Sequence, residues 1–491
     1  MIPSCLGWHN QRKAYLWRRL VAVLQLSFFL FFAGCAAVGP DYAPPERSVP
    51  AAWHTELRQG LSGEAADVHQ LSSWWEVLND SVLTSLIEQA VDNNFDLQLA
   101  VARVREARAR RGISRAAQLP AMDASGLVTR SQSSGGGPTR NFYVVGLDAG
   151  WEVDIFGGVR RTVEAAEAEL AASHEGLRDV LVSLTAEIAL NYLDTRTLQS
   201  RLAIAASNLA MQQQTFDLVN ARCQAGLSDQ LALQQARYNL ESTRSRIPTL
   251  RSSLEEAKNR LAVLAGAVPG SVHELLAEAR PIPVIPPMVA VGVPAEALRQ
   301  RPDIRRAEYD LAAQTARIGV ATADLYPKFR LAGSIGLESL SSTELFTSTS
   351  KNWSIGPRVS WNIFDAGAIR QNIEVQSAIQ EQYVCAYEAA VLGALEEVEN
   401  VLAAYAEEQL RRERLVDAVD AARQVEALAA IQYHAGLVDF AAVLDAQRSL
   451  LSFEDQLAES DGMVTANLVR LYKVLGGGWR SSSTLQFPGK G

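Results

Sequence analysis

The chain repeats itself, and the repeat fixes what either half can fold into. Shifting the sequence by 210 residues superimposes Trp151 on Trp361, Gly157 on Gly367, Arg160 on Arg370, Ala225-Gly226-Leu227 on Ala435-Gly436-Leu437, Asp229 on Asp439 and Gly266 on Gly476. Upstream the offset is 207, where Asp96 meets Asp303, Gly112 meets Gly319, Pro120 meets Pro327 and Gly126 meets Gly333. The three-residue difference accumulates in a loop, residues 131–141 in the first copy and 341–352 in the second, and loops tolerate insertion. Generic similarity between Ala-rich helices does not account for paired Trp, Pro and Gly. The chain is a duplication in which each half carries helix, strand, loop, strand, very long helix, turn and helix.

Residues 159–222 contain no proline and one glycine, Gly176. An uninterrupted helix over that stretch would be about 96 Å long at about 1.5 Å per residue, beyond any ordinary globular domain. Leu177, Leu181, Leu184, Ile188, Leu198, Leu202, Leu209, Phe216, Val219 and Cys223 keep one heptad register, with Asn191, Thr195 and Gln212 as polar breaks, which argues for coiled-coil packing. Residues 369–433 are equally free of proline, and because 210 is a whole number of heptads the duplication preserves the register. Ala225-Gly226-Leu227 and Ala435-Gly436-Leu437 then supply helix turns, glycine being the residue that ends a helix without steric cost. Long antiparallel helical pairs result.

Between the helices lie segments of a different period. Tyr143, Val145, Leu147, Ala149, Trp151, Val153 and Ile155 alternate with Gly146, Asp148, Gly150, Glu152 and Asp154. In the second copy Trp353, Ile355, Pro357, Val359, Trp361 and Ile363 alternate with Ser354, Gly356, Arg358, Ser360 and Asn362. Strands are expected near 121–131, 141–156, 328–340 and 353–364. An apolar outward face and a wet, charged inward face suit a lipid-spanning barrel, although a half-buried strand of a soluble sandwich alternates in the same way. Four strands cannot close such a barrel, so several chains must share one, and three chains giving twelve strands is the economical closure.

Arg12, Lys13, Arg18 and Arg19 precede an apolar run over residues 20–32 that ends in Ala33-Gly34-Cys35. That is the charge, length and small-residue exit of a secretory signal, and the run is short for a membrane span. Ala33-Gly34-Cys35 resembles a bacterial lipobox, with Phe32 where leucine is usual. The resemblance implies cleavage before Cys35, a lipidated cysteine as the mature N-terminus and, with Ala36 next to it, sorting to the outer membrane. The net charge is −9, and removing residues 1–34, with four basic and no acidic side chains, leaves −13, which argues against nucleic-acid binding. Cys223 and Cys385 lie on different helices and no disulfide is expected. The six histidines fall in no metal-ligand spacing, no phosphate-cradling glycine loop is present and no nucleophile has a base near it in sequence, so neither an enzyme nor a cofactor is indicated.

The segment Cys35-Ala-Ala-Val-Gly-Pro-Asp-Tyr-Ala-Pro-Pro45, the stretch Ala297-Leu-Arg-Gln-Arg-Pro-Asp-Ile304 and Val443-Leu-Asp-Ala-Gln-Arg448 resemble the outer-membrane efflux factors, in their lipoprotein branch serving tripartite drug exporters. The resemblance spans about residues 35–478. It implies a mainly α fold with a membrane β-barrel, in which a homotrimer builds a twelve-stranded barrel and a long α-helical periplasmic tunnel. It also implies a passive duct that carries drugs or other small toxic molecules outward from a periplasmic adaptor and an inner-membrane transporter. A duct for type I polypeptide secretion is the alternative. The expected organisation is a signal peptide (1–34), a lipidated arm (35–80), the first repeat (81–266), a Pro-rich linker (267–301), the second repeat (302–476) and a C-terminal tail (477–491). The linker either wraps the helices or is a plain tether, and Trp53, Trp74 and Trp75 are expected to anchor the arm by packing. By the same resemblance, Asp445 lines the periplasmic gate with Asp439 and Tyr433 sharing the role, and the tips Ala225, Gly226, Leu227, Ala435, Gly436 and Leu437 meet the adaptor. The first copy has Gln235 in place of Asp445, so one hairpin alone brings that charge.

Overall fold

The computed structural model describes residues 37–45, 49–65, 67–132, 134–286 and 288–479, so Cys35 and the expected signal peptide lie outside the described residues. The elements run β1 (Leu61–Ser62), α1 (Val68–Ser72), a 3-10 turn at Trp74–Leu78, α2 (Ser81–Asn93), α3 (Phe95–Ala116), β2 (Ala121–Ser131), β3 (Arg140–Val153), α4 (Gly158–Gln224), α5 (Gln230–Leu264), β4 (Val289–Ala290), α6 (Pro294–Gln300), α7 (Pro302–Ala323), β5 (Lys328–Ser339), β6 (Lys351–Ser360), α8 (Ala368–His434) and α9 (Phe440–Val474). The duplication holds element by element: α4 and α8 each have 67 residues, α5 and α9 each have 35, and α3 and α7 each have 22. No helix among the described residues is long and apolar enough to cross a membrane. The chain divides into two compact units, and both repeats contribute to each.

The first unit takes in Val104–Ala172, Ala307–Tyr387 and the described residues before Glu46. Its sheet is antiparallel in the order β2-β3-β5-β6. The register puts Val145 opposite Gly126 and Leu337, Leu147 opposite Ala124 and Ile335, and Ile335 opposite Trp353. One face therefore collects Met122, Val128, Tyr143, Val145, Leu147, Trp151, Phe329, Leu331, Ile335, Trp353, Ile355 and Val359. The opposite face carries the polar set and bonds across strands: Ser125 Oγ donates to Asp148 at 2.9 Å, Ser334 and Ser354 share a hydrogen bond of 2.8 Å, and Asn352 Nδ2 donates to Glu338 at 2.9 Å.

The strands expected over 141–156 and 353–364 stop earlier, at Val153 and Ser360. Their partner β5 begins at Lys328, which pairs with Ser360, so Trp361 and Ile363 have no ladder to join. Beyond the strands, aspartates turn the chain into helix: Asp154 accepts from the Arg160 amide at 2.8 Å, and Asp365 accepts from the amides of Gly367 and Ile369 at 2.9 and 2.8 Å. Both copies tie this corner with a tryptophan, Trp151 Nε1 donating to Gln118 O at 2.9 Å and Trp361 Nε1 to Leu325 O at 3.0 Å.

Residues 37–42 are strapped to the same unit. The Val38 amide donates to Phe156 O at 3.0 Å, and the buried Arg161 guanidinium donates to Val38 O, Gly39 O and Asp41 Oδ1 at 3.1, 3.3 and 2.6 Å. Gly39 sits at φ +91°, and a Cβ added to it would fall against the backbone of Gly319. Only glycine fits there.

The second unit takes in Glu46–Arg103, Ser173–Arg306 and the rest of the chain from Glu388. Its core is aromatic at the centre: Trp74 is fully buried, stacked on Tyr472 at 5.6 Å and edge-on to Trp75 at 5.9 Å. The Pro-rich segment is held along its length rather than free. Arg196 of α4 donates to Glu278 O at 2.7 Å, Gln199 to Leu276 O at 2.7 Å, Thr465 of α9 to Pro283 O at 3.1 Å and Trp53 Nε1 to Gly292 O at 2.9 Å. β4 of this segment pairs in parallel with β1. Arg301 closes the segment by donating to Asp303, to Glu397 at 2.7 Å and to Val474 O at 3.1 Å.

Each unit supplies a stability test. In the first, Gly39→Ala places a methyl against backbone in a left-handed conformation, and a loss of roughly 1–3 kcal/mol is expected, read as a lower unfolding midpoint. Asp41→Asn, which weakens one Arg161 contact without adding a clash, is the milder control. In the second unit, burial and the neighbouring Asp303 carboxylate raise the pKa of Asp179, against the lowering pull of Arg306, Arg301 and Lys473. A raised folded-state pKa means that the folded protein bears a cost for keeping Asp179 charged above the carboxylate range, a cost that disappears as pH falls and the group protonates. Asp179→Asn is therefore expected to stabilise the protein at neutral pH and to lose that advantage in acid. Unfolding midpoints measured from about pH 3 to about pH 8 check the sign.

Candidate functional site

The two helix turns are built alike. In the first, the Leu227 amide donates to Arg222 O at 2.8 Å and the Gly226 amide to Cys223 O at 3.0 Å; in the second, Leu437 donates to Gln432 O at 2.9 Å and Gly436 to Tyr433 O at 3.0 Å. Gly226 and Gly436 sit at φ +73° and +75°, the left-handed conformation that such a helix end requires. Asp229 and Asp439 then cap the returning helices, accepting from the amides of Ala232 at 2.8 Å and Ala442 at 3.1 Å. The glycine and leucine amides and the capping carboxylates are thus bonded within the turn itself. Each tip also presents an exposed leucine, Leu227 being 70% and Leu437 75% exposed.

Beneath the tips the two hairpins share a small core of Val219, Ala232, Ala236, Ala429, Phe440, Val443, Leu444 and Ala446. Tyr433 is half-buried against it, its ring 5.3 Å from Phe440 and covered by the Arg222 guanidinium at 5.0 Å. Farther from the tips the packing becomes polar. Gln447 Nε2 donates to Thr215 Oγ1 at 3.2 Å, and Arg201 of α4 forms a two-pronged pair with Asp455 of α9 at 2.8 and 3.0 Å.

Asp445 lies on the exposed face of α9, its side chain 73% exposed, with Arg448 Nη1 donating to it at 3.1 Å. Arg448 also donates from Nε to the buried Asn239 of α5 at 2.6 Å and stands 5.5 Å over the Tyr238 ring. Tyr238 and Arg448 occupy the same place in the two repeats, 210 residues apart, so the hairpins meet through equivalent positions. The structure brings Asp445 to Arg448, and through Arg448 to Asn239 and Tyr238. Asp439 and Tyr433 are engaged elsewhere, the one in capping and the other in packing. Arg448 ends the motif Val443-Leu-Asp-Ala-Gln-Arg448 but had no role assigned from sequence, and Asn239 lies in none of the motifs. Arg448 was legible as an i,i+3 partner of Asp445, whereas Asn239 depends on how two hairpins dock. Among the described residues no group of His, Cys, Asp and Glu could hold a metal ion.

A sheet with one apolar face and long helical hairpins together fit a component of an outer-membrane channel. The chain belongs to the outer membrane efflux protein family, whose model matches residues 86–267 and 293–477. It is 33% identical over 452 residues to nodulation protein T of Rhizobium leguminosarum bv. trifolii, covering 91% of this chain and 94% of that one. It is 31% identical over 464 residues to the probable outer membrane lipoprotein SilC of Salmonella typhimurium, covering 93% and 98%. Among solved structures, the outer-membrane channel OprN superposes with a TM-score of 0.85 at 35% identity, covering 90% of this chain and 100% of that one. The expected mainly α fold with strands for a membrane β-barrel is thus the fold found, and the protein is an outer-membrane efflux component.

The caps give a direct test. Asp439→Ala should cost about 0.5–2 kcal/mol through the unsatisfied amides at the start of α9, and Asp439→Asn much less. Denaturation midpoints of the two variants measure the difference, and equal midpoints would show that the carboxylate is not acting as a cap.

Proposed function

We propose that this protein is the passive exit duct of a tripartite efflux pump, carrying drugs or other small toxic molecules outward from a periplasmic adaptor and an inner-membrane transporter. The observation that carries this reading is the two-faced sheet with free edges. Among the described residues β2 and β6 each pair on one side only, and lipid provides no partner for an open edge. The ladders also recede as a tilted barrel requires. The β2–β3 ladder reaches Ser131, while the β5–β6 ladder ends at Lys351, on the row of Gly126, five residues lower across three strand steps. At about 3.3 Å per residue and about 4.8 Å between strands, that slope corresponds to a tilt of about 49°, close to the roughly 35–45° of outer-membrane barrels. Three chains supply twelve strands and close the edges.

Cys35 is the proposed lipidation site; residues 37–42, which follow it in sequence, are the ones strapped to the sheet-bearing unit. The tips Ala225-Gly226-Leu227 and Ala435-Gly436-Leu437 are the proposed adaptor contacts, because their amides are bonded internally and their leucines are exposed. Asp445 is the proposed gate carboxylate, with Asp439 setting the start of its helix and Tyr433 packing the turn behind it. An exposed pair such as Asp445–Arg448 contributes only about 0–1 kcal/mol, so the carboxylate stays available to passing ions. A role as an enzyme finds no support in this site, and small-molecule efflux is preferred to polypeptide secretion because the family is that of outer membrane efflux proteins.

Three symmetry-related carboxylates in a narrow ring attract cations. Asp445→Ala is expected to raise single-channel conductance in planar bilayers and to weaken block by multivalent cations added from the periplasmic side. Unchanged conductance and block in an intact trimer would remove Asp445 from the gate.

A further inference from the structure

The apolar face of the sheet does not end in the same way on every strand. Reading from the helix side to the loop side, β6 shows Val359, Pro357, Ile355, Trp353 and then Lys351, and β2 shows Met122, Ala124, Gly126, Val128 and then Arg130. The two inner strands end on that face in neutral residues, Asn141 on β3 and Ser339 on β5. The bases therefore stand on the two edge strands alone. Both are exposed, and neither has an ion pair among the described residues. One step inside Lys351 on the same face stands Trp353, a residue type enriched at the boundary between hydrocarbon and headgroups.

Closing the barrel joins β6 of one chain to β2 of the next, antiparallel, so the loop-side ends of the two edges meet. We infer that each seam carries a cleft for the phosphate groups of outer-leaflet lipids, made by Lys351 of one chain and Arg130 of the neighbouring copy. This rests on the trimeric-barrel reading above. The argument is one of charge and place. A base on a lipid-facing surface is costly in the hydrocarbon but favourable at the headgroup level, where anionic groups replace its water. A guanidinium and an ammonium from opposite sides of a seam also suit a phosphate, which accepts bonds from both. Each bound lipid would bridge two chains and so favour the trimer over its parts.

The test uses the purified full-length trimer in mild detergent, with its thermal dissociation followed as phosphatidylglycerol is titrated in. The wild type should gain stability. Arg130→Gln and Lys351→Gln should each lose most of the gain, because each removes one side of the same cleft, and the double variant should lose little more. Lys351→Arg should keep it, and Arg358→Gln, on the polar face, should behave as wild type. Inorganic phosphate at the same concentration should have no effect, since it brings no acyl chains to the seam. Equal gains in the wild type and the double variant, an Arg358→Gln loss as large as that of Arg130→Gln, or a full effect from inorganic phosphate would each overturn the cleft. A wild type that runs as a monomer would instead overturn the trimeric reading beneath it.

Discussion

A backbone amide in hydrocarbon has nothing to bond to but another backbone group. The four-stranded sheet of this protein satisfies that demand internally and leaves it open along β2 and β6, while presenting one continuous apolar face. An apolar face with open edges is stable in neither water nor lipid as a single chain. Assembly follows from that, and so does the placement of the polar face, whose Ser125–Asp148 and Asn352–Glu338 bonds belong in a wet interior.

The helices pose the opposite problem. A helix of 67 residues satisfies its own backbone but cannot bury its side chains alone, and the heptad stripes supply only part of the packing. Part of the remainder comes from a segment with almost no regular structure. Arg196, Gln199 and Thr465 reach across to carbonyls between Leu276 and Pro283, which lets a Pro-rich stretch lie along two helices without leaving those carbonyls unpaired. The pairing of β1 with β4 and the Trp74–Tyr472 stack fasten the arm in the same way.

Near the tips the hairpins share little apolar packing. The core of Val219, Phe440 and Leu444 is small, and farther from the tips lie amides and charged pairs, with Gln212 Oε1, Asn239 Nδ2 and Gln447 Oε1 buried and unpartnered. A buried polar atom without a partner is costly, so this part of the packing stabilises the hairpins less than a fully bonded network would. Arg448 ties the exposed carboxylate of Asp445 on its own helix to Asn239 of the other hairpin.

Periodicity made much of this legible beforehand. The offset of 210 residues located both long helices and both tips, and strict alternation sorted the sheet into an apolar and a polar face, because each of these is a local property of the chain. Strand ends were not local: Trp361 and Ile363 continue the alternation but lie past the point where β5 can pair with them. Nor could the sequence show that Arg161 straps residues 38–41, that Gly39 abuts Gly319, that the Pro-rich segment is a bonded girdle, or that Arg448 holds Asn239. Those contacts join residues far apart in the chain, and only packing chooses among the many partners that a lone arginine or glycine has available. The sequence by itself determined the elements and their faces, since these follow from spacing along one chain. The tertiary structure decided where strands stop and which side chains lock the elements together, since those depend on what arrives opposite.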